Sequence, residues 1–480
     1  MRLCLVVILG ISLLISGAVA EAPDVEWDEA FGRSDADYAY WVEETDDLGF
    51  ILTGWSYVGP YHNGEDDMYV VKTDRFGNLI WDQTYGDSLM DRATHILPLD
   101  QGGYLLCGYS NSYPPGGTDI RVLRLGFGGT SLWTKEYGAD TSADYAYTIS
   151  PLNDGNYLIT GNGSHLGWYF LKIDSSGNVL NEVCVDRPQD VHQAVATADG
   201  GAIAIGGSTQ LFLVKLNAFG DTTWTRGYGG DSFGTSVIEM PEGGYAAFGF
   251  KRYSLLDDQF WLLRLDNDGD TLWTRHYGYQ YNDQGWSVCR TYDGGFVMTG
   301  SMYPSNGSDE RQMWIVRTDS LGDTLWTQTV GGTGVEIGQC IRQTSDSGYV
   351  VAGWTTSYGE GYYDYYLVKL EADPELVTDV AENEFILPSD IALNQNYPNP
   401  FNPATTITFS LPRKEDVTID VFNVLGQRVR TITSSEYPAG THRVEWDGSD
   451  ESGRSAASGV YFYRLTTGSR TIAKKMQLVR

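Results

Sequence analysis

The chain has 480 residues, of which 41% are hydrophobic and 13% aromatic, so it is long enough for two or three domains with packed cores. Its formal net charge of −31 at pH 7 argues against binding to nucleic acid or to an anionic membrane, because both need a positively charged face. The same charge suits a solvated extracellular surface or one that binds cations. Length and composition therefore indicate a folded protein that acts on neither nucleic acid nor membrane.

Residues 1–20 have the pattern of a secretory signal peptide. Arg2 gives the positive start, residues 6–15 form an apolar run, and residues 18–20 are the small Ala-Val-Ala of a cleavage site. Cys4 lies inside the signal, so we expect no lipid anchor. No later stretch approaches the roughly 20 apolar residues of a membrane-spanning helix. The sequence thus predicts an exported protein without a transmembrane span after signal removal.

A short motif, Asp-x-x-Gly-x-x-x-Trp, returns about every fifty residues, a period typical of repeat architectures. Asn217 replaces the Asp in one copy, and Gly126 replaces it in another. Aligned on the Trp, the chain gives seven units that start near Trp27, Trp81, Trp133, Asn181, Trp224, Trp273 and Trp326. Each unit holds four short runs of aliphatic and aromatic residues. Four strands per unit predict the blade of a β-propeller.

Two kinds of glycine turn join these runs. Between the second and third runs stand Asp-Gly-Gly or Glu-Gly-Gly, as at 199–201, 242–244 and 293–295, where a two-residue hairpin loop needs positive φ. The Asp-x-x-Gly motif forms the turn between a strand that carries a Lys or Arg and the following Trp strand of the same blade. These cations are Lys72, Arg124, Lys172, Lys215, Arg264, Arg317 and Lys369.

The first and last strands of the repeat region each lack a neighbour in sequence. The Trp strand around Trp27 has no preceding cation strand, and the last cation strand, 366–370, has no following Trp strand. We predict that these two pair and close the ring, because an unpaired sheet edge is avoided in propellers.

The Trp spacing resembles the tryptophan-docking motif of quinoprotein-type propellers. That resemblance implies a seven-bladed propeller whose Trp residues pack between adjacent blades. Quinoprotein chemistry is not expected, since the adjacent cysteine pair often found in such sites is absent. The four cysteines after the signal are expected to be small buried strand residues, with their disulfide state left open: Cys107, Cys184, Cys289 and Cys340.

An acid precedes the apolar centre of the second run in six units, and Ser232 takes its place in the fifth. If the second run is the innermost strand, these acids form a ring near one mouth of the channel and could hold a hydrated cation such as calcium. Alternatively, each accepts hydrogen bonds from backbone N–H groups of its own loop. The candidate metal residues are Asp37, Asp91, Asp144, Asp190, Asp283 and Glu336.

The connection between the third and fourth runs is long and aromatic in units one, two, six and seven, which are neighbours in a closed ring. We expect either an exposed crescent that stacks on sugar rings or grips a protein loop, or packing of loop on loop. The candidate ligand-binding residues are Trp55, Tyr57, Tyr61, Tyr109, Tyr113, Tyr303, Trp354, Tyr358 and Tyr362.

After residue 372 the repeats stop. Residues 373–390 have the composition of a linker, and the strands and turns of residues 391–480 predict a small antiparallel β-sandwich. This last segment carries Asn-Tyr-Pro-Asn-Pro-Phe-Asn-Pro at 396–403, Ser-Gly-Val-Tyr at 458–461 and Lys-Lys-Met at 474–476.

These motifs closely resemble the C-terminal (type A) sorting domain of type IX secretion cargo, an immunoglobulin-like domain related to flagellar hook-assembly proteins. The resemblance implies export through the periplasm and outer membrane of a Gram-negative bacterium, with the type IX machinery as partner and release or attachment at the cell surface. The sorting residues that it implies are Asn396, Tyr397, Pro398, Asn399, Pro400, Phe401, Asn402, Pro403, Gly459, Val460, Tyr461, Lys474 and Lys475.

The sequence therefore predicts an all-β chain: a signal peptide at 1–20, a seven-bladed propeller at 21–372, a linker at 373–390 and an immunoglobulin-like sandwich at 391–480. We assign no catalytic residues, because the G-x-S-x-G string at 230–234 fits a repeat loop and the six histidines fall in unrelated positions. The leading interpretation is a secreted or cell-surface monomer that binds glycan or protein without a cofactor, calcium excepted. The alternatives are a polysaccharide hydrolase or lyase with its site at a channel mouth, and a scaffold that binds nothing.

Overall fold

A computed structural model describes residues 21–479 apart from 34, 58–65, 88, 113–116, 139–142, 164–166, 188–189, 255–256, 279–280, 304–309, 375–390, 394–395, 397–398, 400, 402–404, 438–439, 452–453 and 469. The predicted signal peptide and most of the predicted linker lie outside these described residues. The chain divides into two compact units, Met1–Val377 and Thr378–Arg480. Within the described ranges, no helix has the length and apolar character needed to cross a membrane.

The first unit is built from seven antiparallel four-stranded sheets in its described part. In chain order its strands are β1 (Val25–Phe31), β2 (Asp37–Glu44), β3 (Phe50–Tyr57), β4 (Asp66–Thr73), β5 (Leu79–Tyr85), β6 (Asp91–Pro98), β7 (Tyr104–Ser110), β8 (Asp119–Leu125), β9 (Ser131–Tyr137), β10 (Tyr145–Pro151), β11 (Tyr157–Gly163), β12 (Gly167–Ile173), β13 (Val179–Asp186), β14 (Val191–Ala196), β15 (Ala202–Gly206), β16 (Leu211–Leu216), β17 (Thr222–Tyr228), β18 (Ser232–Glu239), β19 (Tyr245–Ser254), β20 (Asp257–Leu265), β21 (Thr271–Tyr277), β22 (Gln284–Arg290), β23 (Phe296–Met302), β24 (Gln312–Thr318), β25 (Thr324–Val330), β26 (Glu336–Gln343), β27 (Tyr349–Thr355) and β28 (Asp364–Leu370).

Six blades run in chain order from the innermost to the outermost strand: β2–β5, β6–β9, β10–β13, β14–β17, β18–β21 and β22–β25. The seventh has the order β26-β27-β28-β1. The first strands of neighbouring blades pack on one another around the whole ring, and β26 contacts β2. Blades bury both faces, as between the first two blades, where Ile51 and Val70 meet Ile96 and Leu106. The fold is therefore the predicted seven-bladed propeller.

The predicted closure of the ring is confirmed. Strand β1 pairs antiparallel with β28, with Trp27 opposite Lys369. The same register recurs in the other six blades, where the third and fourth strands form a hairpin. There each motif cation lies opposite the Trp, or opposite Asn181 in the third blade. The two ends of the repeat region thus complete one blade by backbone hydrogen bonds.

The Trp of each outer strand docks on the next blade, as its spacing predicts. The Trp27 indole lies against Gly77, where an added Cβ would come within 2.8 Å of the ring. Gly77 has φ of 83°, so glycine also suits the turn itself. Asp74 completes this turn, because its Oδ1 accepts from the N–H groups of Phe76 (2.8 Å) and Asn78 (2.9 Å). The motif is therefore structural, with one glycine serving both a turn and an inter-blade contact.

The junction between the sixth and seventh blades lacks this glycine turn, since β28 and β1 are not joined by a hairpin. Asp373 takes its place there. Its carboxylate accepts hydrogen bonds from Trp326 Nε1, from the Tyr349 hydroxyl at 2.7 Å and from Arg317 Nε at 3.1 Å. Trp326 is consequently almost completely buried.

The hairpins between the first two strands of the blades differ from the prediction in length. In the fourth blade, β14 ends at Ala196 and β15 begins at Ala202, so five residues, and not two, lie between them. The Gly200 N–H donates to the Thr197 carbonyl at 2.9 Å, and the Thr197 N–H donates to Gly201 at 3.0 Å. Gly200 has φ of 82°. The expected positive φ is present, within a longer loop built on a β-turn.

The second unit is an antiparallel sandwich of two sheets in its described residues, with orders β29-β30-β33 and β32-β31-β34-β35. Their core holds Phe401, Phe409, Trp446, Tyr463 and Met476. The strands are β29 (Ala392–Leu393), β30 (Thr405–Leu411), β31 (Glu415–Asn423), β32 (Arg428–Tyr437), β33 (Gly440–Trp446), β34 (Gly459–Thr466) and β35 (Thr471–Leu478).

Candidate functional site

Every innermost strand of the propeller carries a β-bulge at the same level. In the first blade, Ala39 lies opposite Gly54 and Trp41 lies opposite Thr53, so Tyr40 is the additional residue. Such bulges re-aim a side chain. In the seven blades the bulged residues are Tyr40, Thr94, Tyr147, His192, Thr235, Trp286 and Gln339.

A glycine on the second strand makes each bulge possible. A Cβ on Gly54 would lie 1.8 Å from the Tyr38 carbonyl oxygen, and the other six positions are as crowded or nearly so. Only a residue without a side chain fits there. These glycines are Gly54, Gly108, Gly161, Gly206, Gly249, Gly300 and Gly353.

All seven bulged residues line a cavity of about 210 Å³ in the central channel. Its lining is uncharged and strongly aromatic. The described residues that form it are Tyr40, Trp41, Thr94, Tyr109, Tyr147, Thr148, His192, Gln193, Thr235, Ser236, Trp286, Ser287 and Gln339. The cavity therefore draws on every blade, in a chain whose net charge is −31.

Part of this lining is committed to holding the inner strands together. Thr94 Oγ1 donates to the Ala146 carbonyl of the next blade at 3.0 Å, and Thr235 Oγ1 donates to Gly285 at 3.0 Å. Gln193 Oε1 accepts from the Val237 N–H, on β18 of the next blade, at 2.6 Å. These bonds fix the polar groups of the wall before any ligand arrives.

One polar atom beside the wall is unpaired. Trp286 Nε1 is buried and has no hydrogen-bond partner among the described residues. Burial lowers the pKa of His192, so its imidazole is neutral near pH 7. The cavity thus offers aromatic faces together with neutral donors and acceptors.

The candidate metal residues do not converge. Each is held within its own blade junction; for example, Asp37 Oδ2 accepts from the Arg33 N–H at 2.7 Å, and Glu336 Oε2 accepts from the Gly332 N–H at 3.2 Å. Asp91 is buried against Arg121, with 2.5 Å between carboxylate and guanidinium. In the described part of the chain, no group of three or more His, Cys, Asp or Glu side chains is placed to hold a metal ion.

Asp144 and Asp283 are buried at equivalent positions, whereas Asp190 is exposed. The bulged residue lies three positions after the acid in the other units but only two after Asp190, before His192. Asp190 is therefore one residue out of register, and its Oδ1 accepts from Asn162 Nδ2 at 2.6 Å. Ser232, in the fifth unit, accepts from the Leu211 N–H at 3.0 Å and donates to the Tyr228 carbonyl at 3.1 Å.

Asp37 differs from the other acids because it faces a second carboxylate. Asp37 and Asp364 both flank Gly32, and the Oδ1 atom of each is buried without a hydrogen-bond partner. Burial, with a smaller contribution from Asp364, raises the pKa of Asp37 to about 6. The junction beside the closing strands therefore holds a carboxyl group that resists ionisation.

The candidate aromatic residues are only partly exposed. Trp55 is buried against Tyr38, with 4.4 Å between ring centroids, and Trp354 contacts Tyr38 at 5.4 Å. Tyr57 packs edge-on against Trp55. This cluster joins the first and seventh blades. Its residues lie on β2, β3 and β27 and not in the loops where the sequence placed them.

The remaining aromatic candidates are separate from that cluster. Tyr109 lines the central cavity, and Tyr303 lies beneath Arg311. Tyr358 is 41% exposed and Tyr362 is 75% exposed. Tyr61 and Tyr113 lie outside the described residues. The structure thus brings Trp55, Tyr57 and Trp354 together and leaves Tyr358 and Tyr362 as the open part of the predicted crescent.

A second cavity, of about 460 Å³, lies between the second and third blades. Its described lining includes three carboxylates, Glu136, Asp144 and Glu182, and the exposed thiol Cys184. Burial raises the pKa of Glu136 to about 7, although Arg121 opposes this shift. Cys184 departs from the expected burial because β13 is an exposed outer strand that lacks the docking Trp.

The predicted sorting residues meet in the sandwich. Buried Asn396 donates from its N–H to the Tyr463 hydroxyl at 2.8 Å, and Asn399 Oδ1 accepts from the Gln477 N–H of β35 at 2.8 Å. Phe401 packs on Trp446, with 5.5 Å between ring centroids. Gly459, Val460 and Tyr461 begin β34, while Lys474 and Lys475 lie on the adjacent β35. Tyr397, Pro398, Pro400, Asn402 and Pro403 fall outside the described residues.

Comparison with known proteins gives one family match and several similar solved structures. Residues 396–470 match the family model of the FlgD Ig-like domain. Among solved structures, the chain is similar to PorZ, a surface component of the type IX secretion system of Porphyromonas gingivalis, at 10% identity over 93% of this chain and 68% of that one (TM-score 0.36). It is also similar to the Neurospora crassa Pan2 WD40 domain, at 10% identity over 70% and 89% (TM-score 0.46), and to the Dos1 propeller, at 12% over 72% and 94% (TM-score 0.42). No curated protein matched the chain.

Proposed function

We propose that the protein is cargo of the type IX secretion system and works, secreted or at the cell surface, as a propeller that binds a glycan or protein ligand. The observation that carries the binding role is the central cavity, to which all seven blades contribute uncharged aromatic and hydrogen-bonding side chains. Among its described lining residues there is no carboxylate pair of the kind that glycoside hydrolysis needs. Such a wall suits recognition by stacking and hydrogen bonding.

Export is supported by the C-terminal unit. Its match to the FlgD Ig-like domain fits the immunoglobulin-like character of type IX sorting domains. In addition, Asn399 and Phe401 are tied to β35, the strand that carries Lys474 and Lys475. The separate sequence motifs therefore meet on one side of the sandwich, where the export machinery could bind them together.

A binding screen tests the proposal. The mature chain would be applied to glycans and to extracellular proteins, once with calcium and once with a chelator. Specific binding supports the binding role. Loss of binding on chelation would mean that binding depends on a metal ion held by the candidate acids. If neither a glycan nor a protein binds under either condition, the scaffold interpretation replaces the binding role.

The acid-lined cavity favours a second candidate function, an extracellular polysaccharide hydrolase or lyase. Glu136, with its pKa raised to about 7, is a carboxyl group that could donate a proton near neutral pH. Asp144 and Glu182 line the same cavity. Shortening of a polysaccharide by the wild-type chain, and its loss in Glu136→Gln, would support this function; an unchanged polysaccharide would rule it out.

A further inference from the structure

The central cavity also indicates what kind of ligand the propeller takes. Its wall contains the indole of Trp286 and the phenol rings of Tyr40 and Tyr147, all placed by the bulges. Aromatic faces arranged around one small space favour a ligand with apolar ring faces. The volume of about 210 Å³ exceeds the ~150 Å³ of an apolar cavity that admits benzene. One six-membered ring with its substituents fits this space.

The polar atoms of the wall favour a ligand that both donates and accepts. The Gln339 amide and the hydroxyl groups of Tyr40 and Tyr147 can donate. Thr94 and Thr235 use their hydroxyl protons on backbone carbonyls, which leaves oxygen lone pairs as acceptors. A hydroxyl group satisfies a donor and an acceptor at once. Several hydroxyls on one ring would match this wall better than a hydrocarbon or a purely accepting ligand.

The described lining residues carry no charge, and this narrows the chemical class of the ligand further. A carboxylate or ammonium group would lose its hydration on entering and find no ionic partner, which is costly. His192 gives no compensation, because burial lowers its pKa. Acidic sugars and amino sugars with a free ammonium group are therefore disfavoured.

We propose that the central channel binds one neutral pyranose ring, either free or at the end of a glycan. This inference rests on the proposed binding function and specifies its ligand. Trp286, Tyr40 and Tyr147 supply stacking faces, while the Gln339 amide and the threonine hydroxyls bind the sugar hydroxyls. Seven glycines on the second strands keep the wall in place by permitting the bulges.

The test is a calorimetric titration of the full mature chain with neutral methyl pyranosides and, for comparison, with methyl glucuronide. Trp286→Leu keeps an apolar side chain but removes the aromatic face, so we expect the affinity for the neutral sugar to fall about five- to tenfold. Gln339→Phe fills part of the cavity and should abolish binding. Tyr292→Ala, at a side chain that is 65% exposed and does not line the cavity, is the matched control and should bind as wild type. Melting curves confirm that each variant is folded.

The outcomes separate this inference from the proposed function. Neutral sugar binding that is lost in folded Gln339→Phe and kept in Tyr292→Ala supports the channel site. Glycan or protein binding that survives both cavity variants overturns the channel site but leaves a binding module. Equal binding of methyl glucuronide overturns the neutral class, and no binding of any pyranoside overturns the inference outright. If the broad screen also finds no ligand, the proposed function fails as well.

Discussion

The propeller and the sandwich are both all-β, yet they are stabilised in different ways. The sandwich has one core cluster between its two sheets, whereas the propeller distributes its buried residues over seven clusters between blades. Each blade therefore depends on two neighbours and, through them, on the pairing of β1 with β28. Sequence changes should therefore destabilise the propeller most at the pairing of β1 with β28 and at the blade junctions, and the sandwich most in its single core.

Surface charge separates the units as well. Acidic residues outnumber basic ones more than twofold between residues 21 and 372, whereas basic residues are in excess between 391 and 480. Net charge of opposite sign in residues 21–372 and 391–480 is consistent with surfaces for different partners. We infer a division of labour in which one unit carries the binding site and the other carries the export signal.

Removal of the closing strand should have the largest effect. Deleting residues 21–32 leaves β28 without its partner and Gly77 without Trp27. We expect the propeller to lose its cooperative melting transition while the sandwich transition stays at the wild-type temperature, as measured by calorimetry. A propeller transition within a few degrees of wild type would contradict the role of the clasp.

Two matched tryptophan substitutions should separate the units. Trp326 and Trp446 are each 1% exposed, the first at a blade junction and the second in the sandwich core. Each Trp→Ala change should cost about 3–5 kcal/mol of unfolding free energy because it leaves a cavity. Denaturant melts followed by unit-specific probes should show the loss only in the unit that carries the change. Equal losses in both units would mean that they unfold as one.

Substitution of two buried acids should give opposite results. Asp37 has its pKa raised from 3.8 to about 6, so its ionisation weakens the fold as pH rises from about 4 to 6, and the penalty is complete above that range. Asp37→Asn should therefore stabilise the propeller by about 2 kcal/mol at pH 7.5 and change little at pH 4.

Asp91→Asn is the matched control for that change. Asp91 forms the shortest of the ion pairs that buried Arg121 makes with Asp91, Asp87 and Glu136, so its neutralisation should destabilise the propeller by about 2 kcal/mol at pH 7.5. Chemical denaturation at the two pH values checks both variants. A destabilising effect of Asp37→Asn at pH 7.5 would show that Asp37 is stabilised as a carboxylate.

The smallest effect concerns a strained turn. Leu48 has φ of 64° at a position where the equivalent residues Gly102, Gly200 and Gly294 have φ between 82° and 89°. Leu48→Gly should raise the unfolding free energy by about 0.5–1 kcal/mol, because a left-handed conformation is unfavourable for a residue with a Cβ. The reverse change, Gly200→Leu, should lower it by a similar or larger amount. No change in either variant would mean that the turn relaxes without cost.

Much of the fold could be predicted from the sequence because local signals agreed with one another. The Asp-x-x-Gly-x-x-x-Trp motif gave the repeat, the outer hairpin and the unpaired ends that close the ring, and its cation lies opposite the Trp in every blade where the Trp is present. The hairpin loops were predicted too short. Thr197 and Gly201 are hydrogen-bonded across the loop and the Gly200 N–H closes a β-turn inside it, so the connection needs more than two residues.

The cavity was missed for a physical reason. A bulge shifts the alternation of buried residues by one, here from Asp37 and Ala39 to Val42. The shift is hidden in the sequence because Tyr40 and Trp41 are both aromatic and the run reads as continuous. The signal was present in another place: each third run contains a glycine, such as Gly54 or Gly353, that only close backbone approach explains. The exposure of the candidate aromatic residues could not be predicted, because it depends on which rings meet across blades, as Trp55 of β3 and Trp354 of β27 do around Tyr38.

The most direct test of the division of labour is surface delivery in the native host. The full chain and a chain ending at Val377, the limit of the first compact unit, would be compared by protease accessibility at the cell surface and by ligand binding after purification. We predict that the shortened protein binds as well as the full one but stays in the periplasm. Equal delivery of both proteins to the surface would contradict the role of the C-terminal unit.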